Sequence, residues 1–158
     1  MAPFADQAAV EAAGYRSIGD GITGHEHFVN FGYLGDGAFL DPDSVESIVL
    51  EVHPDGTKTV VSAMYILPPG QTMADVPDMA GQLTTWHDHQ DLCWNASGHV
   101  VGRFRDGACR PAGVLIATPP MLHVWLVDHP CGPFAGIDGH GDDCGHEHDE
   151  HDESAGGS

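Results

Sequence analysis

Two histidines stand one residue apart in Thr84-Thr85-Trp86-His87-Asp88-His89-Gln90-Asp91-Leu92-Cys93-Trp94. In a β-strand alternate residues face one side, so His87 and His89 on a strand would point the same way. A third histidine, in the apolar run Met121-Leu122-His123-Val124-Trp125-Leu126-Val127, would join them from a neighbouring strand. Three neutral imidazoles converging inside a barrel make a site for one divalent transition metal such as Fe, Cu, Zn or Ni. Trp86, Leu92 and Trp94 flank the pair and argue for a partly enclosed position. The alternative for the pair taken alone is two surface histidines on an edge strand.

If the alternation continues, Asp91 and Cys93 fall on the same face as the two histidines. Asp91 is then a candidate ligand, or a partner that fixes an imidazole tautomer; otherwise it is an ordinary solvated carboxylate. Cys93 has three readings: a thiolate ligand, a disulfide partner of Cys109, or a small buried hydrophobe. His25-Glu26-His27 is a second pair of the same spacing. It is either a polar turn with one packed histidine, or a place where His27 or Glu26 lines the barrel mouth near the metal. Tyr33 and Tyr65 are proton donors in such a cavity or, more simply, core aromatics. The run His129-Pro130-Cys131-Gly132-Pro133-Phe134 is a rigid turn in which Cys131 either approaches the site or, more simply, caps the barrel, and His53 and His99 beside turns face solvent.

Elements that would position these groups follow from pattern. Residues 4–13 are Ala-rich and stop at Gly14, which predicts a short helix. Residues 45–53 alternate and are β-branched, Pro54-Asp55-Gly56 turns them, and residues 59–67 return, which predicts a hairpin. Residues 25–31 form a strand or an ordered loop. Shorter strands are predicted over 83–89, 99–104, 113–117 and 121–128, with Asp106-Gly107 and Pro119-Pro120 as separators. Many short strands and a single helix make the chain all-β, a barrel or sandwich.

The stretch from Gly81 to Cys93 resembles the first metal-binding motif of the cupins, in which a glycine is followed after five residues by His-x-His and then by a glutamate. Pro119-Pro120-Met121-Leu122-His123 looks like the second motif, which supplies one more histidine from a later strand. The resemblance covers residues 45–128. It implies a small jelly-roll β-barrel holding a metal on His87, His89 and His123. Cys93 stands at the acid position, Val127 replaces the family's asparagine, and Pro120 replaces the second-motif glycine. A three-histidine cupin with cysteine near the acid position is similar to the thiol dioxygenases, which implies Fe(II) and O₂ chemistry.

Composition bounds the rest. The chain of 158 residues is read as one β-barrel domain over 1–137 and an acidic, His-rich tail over 138–158. Of 24 acids, eight lie in the tail, which has four histidines and no base, so disorder without metal is expected there. Within it Cys144, His146, His148 and His151 are candidate ligands of adaptable geometry, or the run is simply solubilising. A net charge of −19 argues against nucleic acid and anionic membrane surfaces as partners. No basic start, apolar signal core or membrane-length apolar run is present in the sequence. Cytoplasm is therefore the default expectation, and export is the alternative if Cys93 and Cys109 form a disulfide. The functional expectation is a metal-dependent enzyme, O₂-using, acting on a small molecule. Its rivals are a non-catalytic metal-binding or metal-handling protein and a metal-free small-ligand barrel; homodimerisation is compatible with each.

Overall fold

The computed structural model describes residues 4–79 and 81–137. The tail candidates Cys144, His146, His148 and His151, and the disorder expected around them, lie outside the described residues.

The chain runs α1 (Gln7–Ala12), β1 (Arg16–Ser17), β2 (His25–Val29), α2 (Phe31–Leu34), β3 (Ser47–Val52) and β4 (Lys58–Ile66), then β5 (Trp86–His87), β6 (Leu92–Trp94), β7 (Val100–Arg105), β8 (Ala108–Pro111), β9 (Val114–Leu115) and β10 (Met121–Trp125). It is an all-β fold of two antiparallel sheets. The first has six strands in the order β1-β2-β3-β4-β10-β5, the second four in the order β8-β7-β6-β9. The expected helix forms because the Asp6 carboxylate accepts from the Ala9 N–H, satisfying a donor that the first turn cannot. Gly14, at φ +95°, ends it in a conformation that suits glycine.

The β3–β4 hairpin falls where it is expected. Its register shifts between Val49 and Leu50, and such a bulge increases the local twist and bends the strand. Alternation then sorts the strands onto two faces. Phe28, Ile48, Leu50 and Ala63 face α1 and pack with Val10, Tyr15 and Val45. Val49, Met64, Ile66, Met121 and Trp125 form the core of the other face. His25 and His27 on β2, and His123 on β10, belong to that second face.

The expected strand over 83–89 is a correction. Only Trp86–His87 pairs, with Leu122 and Met121 of β10, and Gly81–Leu83 is a 3₁₀ turn. After His87 the chain leaves the first sheet, and β6 pairs with β7 and β9 in the second. The assumed continuous alternation from 87 to 93 is therefore broken. β8 carries no β-branched residue and is set instead by its turn. Asp106 (φ 50°) and Gly107 (φ 78°) make a two-residue loop with positive φ at both centres, the geometry whose twist matches a hairpin.

Candidate metal centre

His123 lies in the middle of β10, opposite Met64 of β4, and is 0 % exposed. Both of its ring nitrogens are buried without a hydrogen-bond partner among the described residues. Leaving a buried polar group unsatisfied costs about 1–3 kcal/mol, so this position is expensive for a merely structural side chain. Burial, reinforced by charge repulsion from His27, His87, His25 and His89, holds its pKa down to about 2. The ring is thus neutral, the form that offers a lone pair to a metal.

Imidazoles gather around it from three segments. His87 stacks on His123 with ring centres 5.2 Å apart, and His89 meets His87 edge-on at 5.4 Å. His27 approaches His123 from β2 at 5.6 Å. An imidazole bound at ~2 Å places its ring centre ~3 Å from the ion, so two rings sharing one ion have centres ~5 Å apart. His87–His123, His87–His89 and His27–His123 have that spacing, whereas the ring orientations do not converge. As the rings stand, no three His, Cys, Asp or Glu side chains among the described residues form a ligand set, so sharing an ion requires ring rotation.

Each histidine has its own local cause. His87 is held by the two-residue β5 ladder. His89 is outside any strand, but its N–H donates to Thr118 Oγ1 at 2.9 Å and its carbonyl accepts from the Thr118 N–H at 2.9 Å. His27 comes within reach because the first sheet curls. β3 and β4 lie between β2 and β10, and three strand spacings of ~4.8 Å would separate flat strands by ~14 Å. Ser47, Val49 and Ser62 fill the intervening positions of that face with small side chains.

Asp20 supports His27. One carboxylate oxygen bonds His27 Nδ1 at 2.6 Å and the other accepts the His27 backbone N–H at 2.9 Å. A carboxylate on one imidazole nitrogen favours the proton there and leaves Nε2 with the lone pair, the arrangement that backs metal-bound histidines. Behind the cluster, His25 meets Trp125 edge-on at 5.8 Å and His129 stacks on Trp125 at 4.3 Å. Trp125 Nε1 donates to the Ala135 carbonyl at 2.8 Å, so the 129–135 turn closes this end, as expected for the run containing Cys131. Cys131 is a half-cystine packed at the edge of the second core.

The remaining candidates go elsewhere. Of the three readings of Cys93, the disulfide to Cys109 is the one present. A half-cystine offers no thiolate, so the ligand reading is corrected. Asp91, also expected near the histidines, gives both oxygens to Arg103 Nη1, at 2.9 and 3.0 Å. The strand break after His87 redirects both residues into the second sheet. Glu26 lies on the opposite face of β2 from His27, where it accepts from Ser17 Oγ and pairs with Lys58 at 2.6 Å. Tyr33 and Tyr65 pack on the α1 side as core aromatics. His99 is exposed as expected, whereas His53 is half-buried and bonds Thr59 Oγ1 at 2.8 Å.

A cavity of about 1180 Å³ opens beside the cluster, with His27, His89, Met64, Ile66 and Met121 in its wall. His87 and His123 lie behind this lining rather than in it. The chain matches no family model, no curated protein and no solved structure. The sequence pattern left His27 open and did not single out Asp20. The usable signal was an acid a few residues before a His-x-His pair.

Proposed function

We propose that the chain holds one divalent transition metal on His87, His89 and His123, with His27 as a further ligand, in a small cupin-type barrel. The observation that carries this reading is His123: a neutral imidazole, wholly buried, with two unsatisfied nitrogens, with His87 and His27 at the spacing one shared ion would give and His89 beside His87. A bound ion would satisfy His123 and offset the cost of burying it. The chemistry such an ion supplies is Lewis-acid or, for Fe or Cu, redox. The chain's own residues do the positioning. Asp20 keeps the His27 proton at Nδ1, Thr118 holds the His89 backbone, and Trp125 with the 129–135 turn shuts water out behind the cluster. The face carrying His27 and His89 opens to the cavity, which favours a metal-dependent enzyme, O₂-using, acting on a small molecule.

One observation favours the second reading, a non-catalytic metal-handling protein. Four imidazoles can complete a tetrahedral shell, and closed shells mark structural or storage sites. The Cys93–Cys109 disulfide fits an exported protein, and among the described residues no helix is long and apolar enough to cross a membrane.

The test is metal stoichiometry in the full chain with His140, His146, His148 and His151 replaced by Gln, so that tail histidines cannot contribute. About one equivalent is expected to remain and to be lost in His87→Ala and His123→Ala. Retention of no metal by the tail-substituted chain under both oxidising and reducing conditions would sink the reading. Oxygen consumption on loading with Fe(II) or Cu then separates enzyme from metal handler.

A further inference from the structure

The chain has five basic residues against 24 acids, and three of the five, Arg103, Arg105 and Arg110, line the 1180 Å³ cavity. Register explains how they meet there. Arg103 and Arg105 are two apart on β7 and so share a face, and Arg110 of β8 lies directly opposite Arg103. Like charges placed opposite each other in a ladder repel. Asp91 neutralises Arg103, but among the described residues neither Arg105 nor Arg110 has an ion-pair partner. A strongly acidic protein thus concentrates most of its positive charge, incompletely compensated, on one wall of this cavity.

Much of the remaining wall is apolar, although Asp20, Thr23, His27, His89, Asn95 and Thr118 also line it. Val29, Ile66, Leu92 and Met121 line it, as do Ile22 and Phe31, although Ile22 is 98 % exposed and Phe31 53 %. Large apolar side chains left this open mark a place that something apolar covers. The hairpin bearing the arginines is also fixed in place. The disulfide joins Cys109, next to Arg110, to buried Cys93 on β6. Gly102 lets β8 approach closely, since a Cβ there would stand 2.5 Å from the Arg110 carbonyl oxygen.

We propose that this cavity binds a small amphipathic anion: a carboxylate held by Arg105 and Arg110, with its apolar body between the two sheets. The guanidinium fork matches a carboxylate in two hydrogen bonds, and the volume accommodates a ligand of drug-like size. The ligand would pass His27 and His89, which links this inference to the metal reading without resting on it. The rival occupant is the chain's own tail, because Ile137 is in the cavity wall and the eight acids of 138–158 follow it.

The test is calorimetric titration of the metal-free full chain with octanoate, 1-octanol and octyltrimethylammonium at low salt. A net charge of −19 favours the cation everywhere else on the surface, so preference for the anion is diagnostic. Octanoate is expected to bind at least ~10-fold more tightly than either comparator, and Arg105→Gln/Arg110→Gln to remove that advantage while leaving 1-octanol unchanged. Equal or tighter binding of the cation or alcohol overturns the proposal, as does an unaltered octanoate affinity in the double variant. If octanoate binds tightly only after the eight tail acids are changed to Asn and Gln, the tail is the natural occupant and the small-molecule assignment falls. None of these outcomes depends on metal, so the metal reading stands or falls separately.

Discussion

His87 and His123 stack with their planes 6° apart and their ring centres 5.2 Å apart. The contact is made through Met121, which pairs with His87 across the β5–β10 ladder and lies two residues before His123 on the same face. Diagonal neighbours of this kind are within reach of ring side chains. A β5 strand of only two residues therefore suffices to hold His87 against the most deeply buried imidazole among the described residues.

His123→Leu replaces two unsatisfied nitrogens with apolar atoms of similar bulk. In the metal-free protein it is expected to stabilise the fold by about 1–3 kcal/mol, read as a higher urea midpoint. With Zn²⁺ present and the tail histidines replaced, the wild-type site gains stability and the variant does not. A variant less stable than wild type without metal would show that His123 is already satisfied.

Asp20→Asn removes the carboxylate behind His27 and leaves a side chain of the same shape. Metal affinity, measured by competition with a chromophoric chelator in the tail-substituted background, is expected to fall about 10–100-fold. An unchanged affinity with an intact near-UV spectrum would exclude His27 from the ligand set.

Cys93→Ser/Cys109→Ser opens a loop closed over a sequence separation of 16. A loss of roughly 3 kcal/mol is expected from the restored freedom of the unfolded chain, measured by thermal or urea unfolding. Metal stoichiometry is expected to be unchanged, because the sulfurs are engaged with each other; loss of the metal at retained fold would return Cys93 to the site.

Glu46 is 1 % exposed and accepts the Ile66 N–H at 3.1 Å. Burial, only partly opposed by that bond, raises its pKa from 4.5 to about 7. The unfolded carboxyl ionises first as pH rises, so its contribution is fully present below pH 4.5 and is lost by about pH 7. The cost of ionisation is on the order of 3 kcal/mol. Glu46→Gln is expected to flatten the stability profile across that window relative to wild type; parallel profiles would exclude Glu46 as its source.

Much of the fold was legible locally. The α1 cap, the β3–β4 hairpin and the Asp106-Gly107 turn depend on residues close in sequence. The sheet switch after His87 was not, because a strand ends where its partner ends, and that partner, β10, lies beyond all of the second sheet. The same break sent Cys93 to Cys109 and Asp91 to Arg103, against an alternation that assumed one unbroken strand.

The chain's pattern alone determined that it is built of short strands, that its charge is overwhelmingly negative, and that four of its histidines come as two His-x-His pairs. Composition and a period of two carry that information residue by residue. Only the tertiary structure decided which histidines meet. His27 and His123 come together because the sheet bends over two intervening strands, and curvature accumulates from bulges and side-chain sizes that no single segment encodes. The gathering of Arg103, Arg105 and Arg110 on a cavity wall is of the same kind: the hairpin put them on one face, and the fold set that face beside the cavity with Arg105 and Arg110 still exposed.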